Sequence, residues 1–112
     1  MHGKEAITDA ALREAIARAE KGQIDADLGG EVIKQRIARP GQGRSKGYRT
    51  IVLIRRGARA FFVYRFSKSQ RTNIDDDEEE QFKEAAKLVL ALTETQLTVR
   101  LERGDFVEVK SE

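Results

Sequence analysis

The sequence predicts an α+β domain: a small antiparallel sheet of three to four strands packed by helices. Three observations carry that prediction. The strongest strand-forming runs, Val32–Ala38, Tyr48–Ile54 and Ala60–Phe66, fall in one window. Stretches of helical periodicity lie before and after it rather than between the strands, which is the α+β order and not the alternating α/β one. The window from Val32 to Ile74 also holds twelve Lys or Arg in 43 residues and no Asp or Glu, so its charge is built onto the sheet.

The chain of 112 residues is long enough for one core and too short for two, so a single domain over 1–112 is expected. The first helix is expected over residues 8–21. Thr8 can cap it, Ile7 and Leu12 stand at hydrophobic-staple spacing, and Leu12, Ala15, Ile16 and Ala19 form an i, i+3, i+4, i+7 stripe. Gly22 follows where a helix C-terminus favours glycine. Gln23–Gly30 reads as a loop tethered by Ile24 and Leu28. In Val32–Ala38, alternation puts Lys34 and Arg36 on one face, roughly 6–7 Å apart, with Ile33, Gln35 and Ile37 on the other. A loop rich in glycine runs from Arg39 to Gly47, and a hairpin around Gly57 joins the second and third strands. Ala60–Phe66 is apolar on both faces apart from Arg65, which predicts a central place in the sheet. Asp75–Leu92 has helical spacing at Phe82, Ala85, Ala86, Val89 and Leu92. A shorter helix starts at Thr93, with Gln96 completing a capping box, and stops by Gly104; Phe106–Val109 reads as a short strand.

Charge patterning narrows the function. The formal net charge of +2 conceals a segment of +12 between flanks of −3 and −7. Cations concentrated on ordered strands are the footprint of a polyanion-binding surface. The chain has no cysteine and a single histidine, His2, so thiolate and histidine metal sites, Ser-His-Asp triads and histidine acid–base pairs are excluded; neither a metal nor a cofactor is expected. Mean hydropathy is −0.57, no apolar run approaches a membrane span, and Met1-His2-Gly3-Lys4-Glu5 does not read as a signal peptide; the expected compartment is the cytoplasm.

Individual motifs have bland readings beside the chemical ones. The acidic run Asp75–Glu80 suits the first turn of a helix, where negative charge interacts favourably with the dipole, better than a divalent-metal site. Gly41-x-Gly43-x-x-x-Gly47 lacks the ending and the strand–helix setting of a nucleotide P-loop; it suits a flexible loop that brings Arg44 and Lys46 to a phosphate. Tyr48, Tyr64 and the phenylalanines read as core rather than as stacking platforms, and Arg55, Arg56 and Arg59 as solvated hairpin residues.

From residue 22 onward the chain resembles a known family. Gly22-x-Ile24-Asp25-Ala26-Asp27-Leu28-Gly29-Gly30, Val32-x-Lys34-x-Arg36 and Pro40-Gly41-x-Gly43-Arg44-Ser45-Lys46-Gly47-Tyr48-Arg49 are similar to a RelE/HigB-like branch of the RelE/ParE toxins. Phe61–Tyr64 and Lys68-x-x-Arg71-x-Asn73-Ile74, followed by the acidic helix, fit the same branch, so the likeness runs over nearly all of the chain from Asp9. The resemblance implies the toxin of a type II toxin–antitoxin module: a microbial-RNase-like fold whose basic face cleaves mRNA, usually on the ribosome, and whose partner is a helix-turn-helix antitoxin. By position, Lys34 and Arg36 match the paired basic strand residues, Arg49 the arginine of the Gly-Tyr-Arg element, and Lys68 and Arg71 the basic turn after the third strand. Arg44 and Lys46 lie in the adjoining loop as RNA-binding candidates, with Lys68.

In the mechanism this implies, crowding by cations favours the neutral form of Lys34 and makes it the candidate base for a ribose 2′-hydroxyl. Arg36 and Arg49 stabilise charge on the phosphate, with Arg71 or Lys68 near the leaving group. Two departures stand out. Relatives carry a strand and part of a helix ahead of the position of Asp9, so a sheet lacking that strand is expected, with an edge open to another chain, a second copy included. Many also place a tyrosine or histidine after the last basic turn, where this chain has Asp75. A ParE-like gyrase inhibitor and a non-catalytic RNA-binding module remain as alternatives on the same fold.

Overall fold

The computed structural model describes residues 7–37, 47–67 and 70–109. Its elements run α1 (Asp9–Glu20), β1 (Ala26–Gly29), β2 (Val32–Ile37), β3 (Tyr48–Arg55), β4 (Arg59–Ser67), α2 (Asp76–Val89) and α3 (Glu94–Glu102). The four strands form one antiparallel sheet in the order β1-β2-β3-β4, giving the α+β architecture that the sequence predicts.

All three helices begin at side-chain caps. Thr8 accepts from the Ala11 amide; Asp75 with Glu78 and Thr93 with Gln96 form reciprocal capping boxes. These side chains satisfy amides that the helix itself leaves without partners. The acidic run is thus the start of α2, with Asp75 as its cap and Asp76, Asp77, Glu78 and Glu79 in its first turn.

Strand alternation then divides the core between the two faces of the sheet. On one face, Val32, Ile51 and Leu53 pack against Ala86 and Leu90 at the α2 end, with Phe61 and Phe82 beside them. On the other, Ile33, Val52 and Ile54 pack against Ala19 of α1, with Ile16 and Phe62. Gln35 lies buried on the α1 face, and its amide is fully engaged. Nε2 donates to the carbonyls of Ala15 (3.0 Å) and Gln23 (3.1 Å), while Oε1 accepts from the Asp25 amide (3.1 Å). An unpaired amide there would cost about 1–3 kcal/mol, so this one side chain ties the end of α1 to β2. Asp25, held in this way, accepts from the backbone amide of Arg36.

Three local expectations are corrected. Residues 26–29 are a strand, although Ala-Asp-Leu-Gly has little intrinsic strand character; the exposed edge of β2 supplies its pairing. Residues 107–109 are not a strand: Phe106 instead packs its ring on Phe61, with centroids 5.1 Å apart. β4 lies at the end of the sheet order rather than in its centre, and its outer edge has no strand partner among the described residues. Apolar residues on both faces of a strand report layers above and below it, not strands on either side.

A β-bulge sits in the β3–β4 ladder. Ile51 pairs with Tyr64 but Val52 pairs with Phe62, so Val63 is the extra residue. The bulge reverses the parity of β4, bringing Phe61, Tyr64 and Phe66 to one face and Ala60, Phe62 and Arg65 to the other. The β1–β2 turn is equally specific. Gly29, Gly30 and Glu31 all have positive φ, and a Cβ on Gly30 would lie 3.1 Å from Cγ of Lys83.

Candidate nucleic-acid interface

The two end rows of the sheet bring the basic residues together. Arg36 of β2 pairs directly with Arg49 of β3, which pairs with Phe66 of β4. Two residues inward, on the same face, Lys34 pairs with Ile51, which pairs with Tyr64. All of these side chains share the face that α2 covers farther along. α2 begins only after the Arg71–Asp75 segment, so the core ends where the cations start.

Directly opposed like charges destabilise a strand pair. Among the described residues no acid compensates the Arg36–Arg49 pair: none of their ion pairs involves Arg36, Arg49 or Lys34. Arg36 is exposed, and Lys34 and Arg49 are half-buried.

The segment after β4 closes the site. Lys34 Nζ donates to Oδ1 of Asn73 (3.1 Å), and that oxygen also accepts from the Ile74 amide (2.9 Å). Arg71 Nε donates to the Asn73 carbonyl (2.8 Å). Its Nη1 donates to the Tyr64 hydroxyl (3.3 Å), and its two Nη atoms grip Glu78 at 3.0 and 2.6 Å. The bidentate grip holds the Glu78 carboxyl below its ordinary range, with help from the Asp75 amide, and raises the guanidinium of Arg71 further above its own. Arg71 also lies 6.0 Å from the ring centroids of both Tyr64 and Phe66. The result is one connected network, Lys34–Asn73–Arg71, ending on Tyr64 and Glu78.

Of the basic residues expected here, Lys34, Arg36, Arg49 and Arg71 are on or against one face. Arg44, Lys46 and Lys68 lie outside the described residues. Of the described residues nearest to them in sequence, Ile37, Tyr48 and Ser67 are register partners across β2, β3 and β4.

Two expectations about side chains are corrected. Tyr64 is not core: it is 36% exposed and belongs to the basic face, with its ring stacked on Phe82 at 6.2 Å. Tyr48, by contrast, is buried on the opposite face beneath Arg65, whose Cζ is 4.6 Å from the ring centroid. Arg55 and Arg59 are not merely solvated. Arg55 pairs with Glu31 and donates to the Leu90 carbonyl (3.0 Å); Arg59 donates to the carbonyls of Val89 (3.2 Å) and Leu92 (2.9 Å) and to Glu94 (3.0 Å). They fasten the C-terminal end of α2, where cations complement the helix dipole.

Sequence reasoning left Asn73 and Glu78 without a site role. Glu78 is visible only as a capping-box residue, and Asn73 meets Lys34 across 39 positions. The geometry offers paired cations for a phosphate, an amine beside them and a phenol on the same face. Among the described residues, no group of His, Asp or Glu side chains could hold a metal ion.

The RelE toxin of the RelE/RelB toxin–antitoxin system is the family whose model matches this chain, over residues 1–109. Neither a curated protein nor a solved structure matches it.

Proposed function

Because the chain belongs to the RelE toxin family of toxin–antitoxin systems, with an antitoxin as its partner, we propose that it is a ribosome-dependent mRNA endoribonuclease that inhibits translation. Endoribonuclease toxins are what this family is known for. The observation that supports the reading is the register pair Arg36–Arg49, two like charges held opposite one another with no ion-pair partner among the described residues. Such a pair becomes favourable when an anion with diffuse charge lies across it, and a phosphodiester is that anion.

The assignment of roles follows from position. Arg36 and Arg49 bind the scissile phosphate and stabilise the charge that develops on it. Lys34, oriented by Asn73, takes the proton from the attacking 2′-hydroxyl. Arg71 is fixed by Glu78 and acts as a stationary positive charge beside the leaving side. Arg44, Lys46 and Lys68 hold the flanking RNA. Attack by the 2′-hydroxyl asks for no metal ion. The ribosome orients the substrate, which raises the effective concentration of the reacting groups. The partner is a helix-turn-helix antitoxin and the working compartment the cytoplasm; no helix among the described residues is long and apolar enough to cross a membrane.

The test is mRNA cleavage in a translation extract, comparing the wild type with Lys34→Ala, Arg36→Ala and Arg49→Ala. Loss of cleavage in the variants is expected, and full activity in all three would refute the assignment. Inhibited DNA supercoiling with intact mRNA would instead identify a gyrase inhibitor.

A further inference from the structure

The nuclease reading needs a proton for the departing 5′-oxygen, and neither Arg71 nor Glu78, the charged groups that the described residues place beside Tyr64, supplies one. Arg71 retains its proton under all ordinary conditions. Glu78 is an ionised acceptor in the grip of Arg71. We propose that Tyr64 is the proton donor, an assignment that rests on the nuclease reading and adds a catalytic residue to it.

Four observations carry this. Tyr64 is the β4 member of the row that begins with Lys34, two strand spacings away, about 10 Å between Cα atoms, so a phosphodiester held by Arg36 and Arg49, two residues farther out on the same face, has an amine toward one edge of the sheet and a phenol toward the other. Its hydroxyl oxygen accepts from Arg71 Nη1, because a guanidinium can only donate. The hydroxyl proton therefore points elsewhere, and among the described residues it meets no acceptor. The ring is held by Phe82 on one side and Phe66 (5.8 Å) on the other, so the hydroxyl is positioned before substrate arrives. A tyrosinate formed in the reaction would face the Arg71 cation, which Glu78 prevents from swinging away.

The step balances. The 2′-oxygen bonds to phosphorus as its proton passes to the Lys34 amine. The bond from phosphorus to the 5′-oxygen breaks as that oxygen takes the proton of Tyr64. The products are a 2′,3′-cyclic phosphate and a 5′-hydroxyl; Lys34 then returns its proton through solvent to the tyrosinate.

The experiment uses Tyr64→Phe, which keeps the ring and its packing and removes only the hydroxyl. Wild type and variant are given ribosomes programmed with one of two messages. One is ordinary; the other carries sulfur in place of the bridging 5′-oxygen at the mapped cleavage position. A thiolate leaves without being protonated. The variant is expected to cut the ordinary message about 10²–10⁴-fold more slowly and the sulfur-bridged message at the wild-type rate. Wild-type cleavage of the ordinary message by the variant, or equal losses on both messages, overturns the role of Tyr64 and leaves the nuclease reading standing. If the wild type leaves both messages intact, the nuclease reading falls and this proposal falls with it.

Discussion

β3 carries an arginine near each end, and the two serve opposite ends. Arg55, at the hairpin end, is matched to Glu31 and to the Leu90 carbonyl, and its neighbour Arg59 to Val89, Leu92 and Glu94. Arg49, at the other end, faces Arg36 and meets no acid among the described residues. The hairpin arginines have helix carbonyls and carboxylates within reach because α2 terminates over them. At the other end α2 begins beyond Arg36 and Arg49, and among the described residues neither side chain has an ion-pair partner. Residue type and strand are the same; what separates structural from candidate functional charge is whether the fold brings an acceptor to it.

The largest expected effect tests the unmatched end. Arg49→Ala or Arg36→Ala should lower mRNA cleavage on the order of 10²–10³-fold. Urea unfolding should meanwhile shift by no more than about 0.5 kcal/mol, since neither side chain has an ion-pair partner to lose among the described residues. Arg59→Ala should do the reverse. It leaves two helix-end carbonyls without their donor and should cost about 1–3 kcal/mol in urea unfolding, with cleavage per folded molecule unchanged. A variant in which both quantities move together would erase the distinction between the ends.

Glu78 offers a test by pH. Its carboxyl titrates lower in the folded chain than its ordinary value of 4.5, chiefly because of the Arg71 hydrogen bonds. The stability it contributes is therefore complete above pH 4.5 and lost as pH falls through the folded value. Melting temperature followed from pH 6 down to pH 3 should fall less steeply in Glu78→Gln than in the wild type; parallel curves would count against the pairing. The smallest effect belongs to Arg56, exposed at the hairpin with no partner among the described residues. Arg56→Ala should leave both unfolding and cleavage within error of the wild type.

The helices were legible because their signals are local: Thr8, Asp75 and Thr93 each announce a start within four residues of the groups they cap. The Lys34–Arg36 pair was legible for a similar reason, since alternation along one strand needs no knowledge of its neighbours. β1 was not, because Ala26–Gly29 takes its strand character from β2. The place of Tyr64 was hidden by the bulge, which no periodicity within 60–66 announces, and that of Asn73 by its distance of 39 positions from Lys34. What escaped was information held between segments rather than within them.

The bulge at Val63 makes the face of each neighbouring β4 side chain depend on an odd or even count. Were Val63, an exposed valine of small apparent importance, drawn into the ladder opposite Ile51, the pairing would become regular. With Phe61 kept on its partner, Tyr64 would then turn to the α1 side and Arg65 would come to lie opposite Arg49, beside the cations. Deleting Val63 instead would leave Tyr64 on Ile51 and Arg65 on Thr50, each on the face it has now. The extra residue thus decides whether this face carries a phenol or another positive charge without altering the identity of any residue. In this strand, register is as much a determinant of surface chemistry as composition.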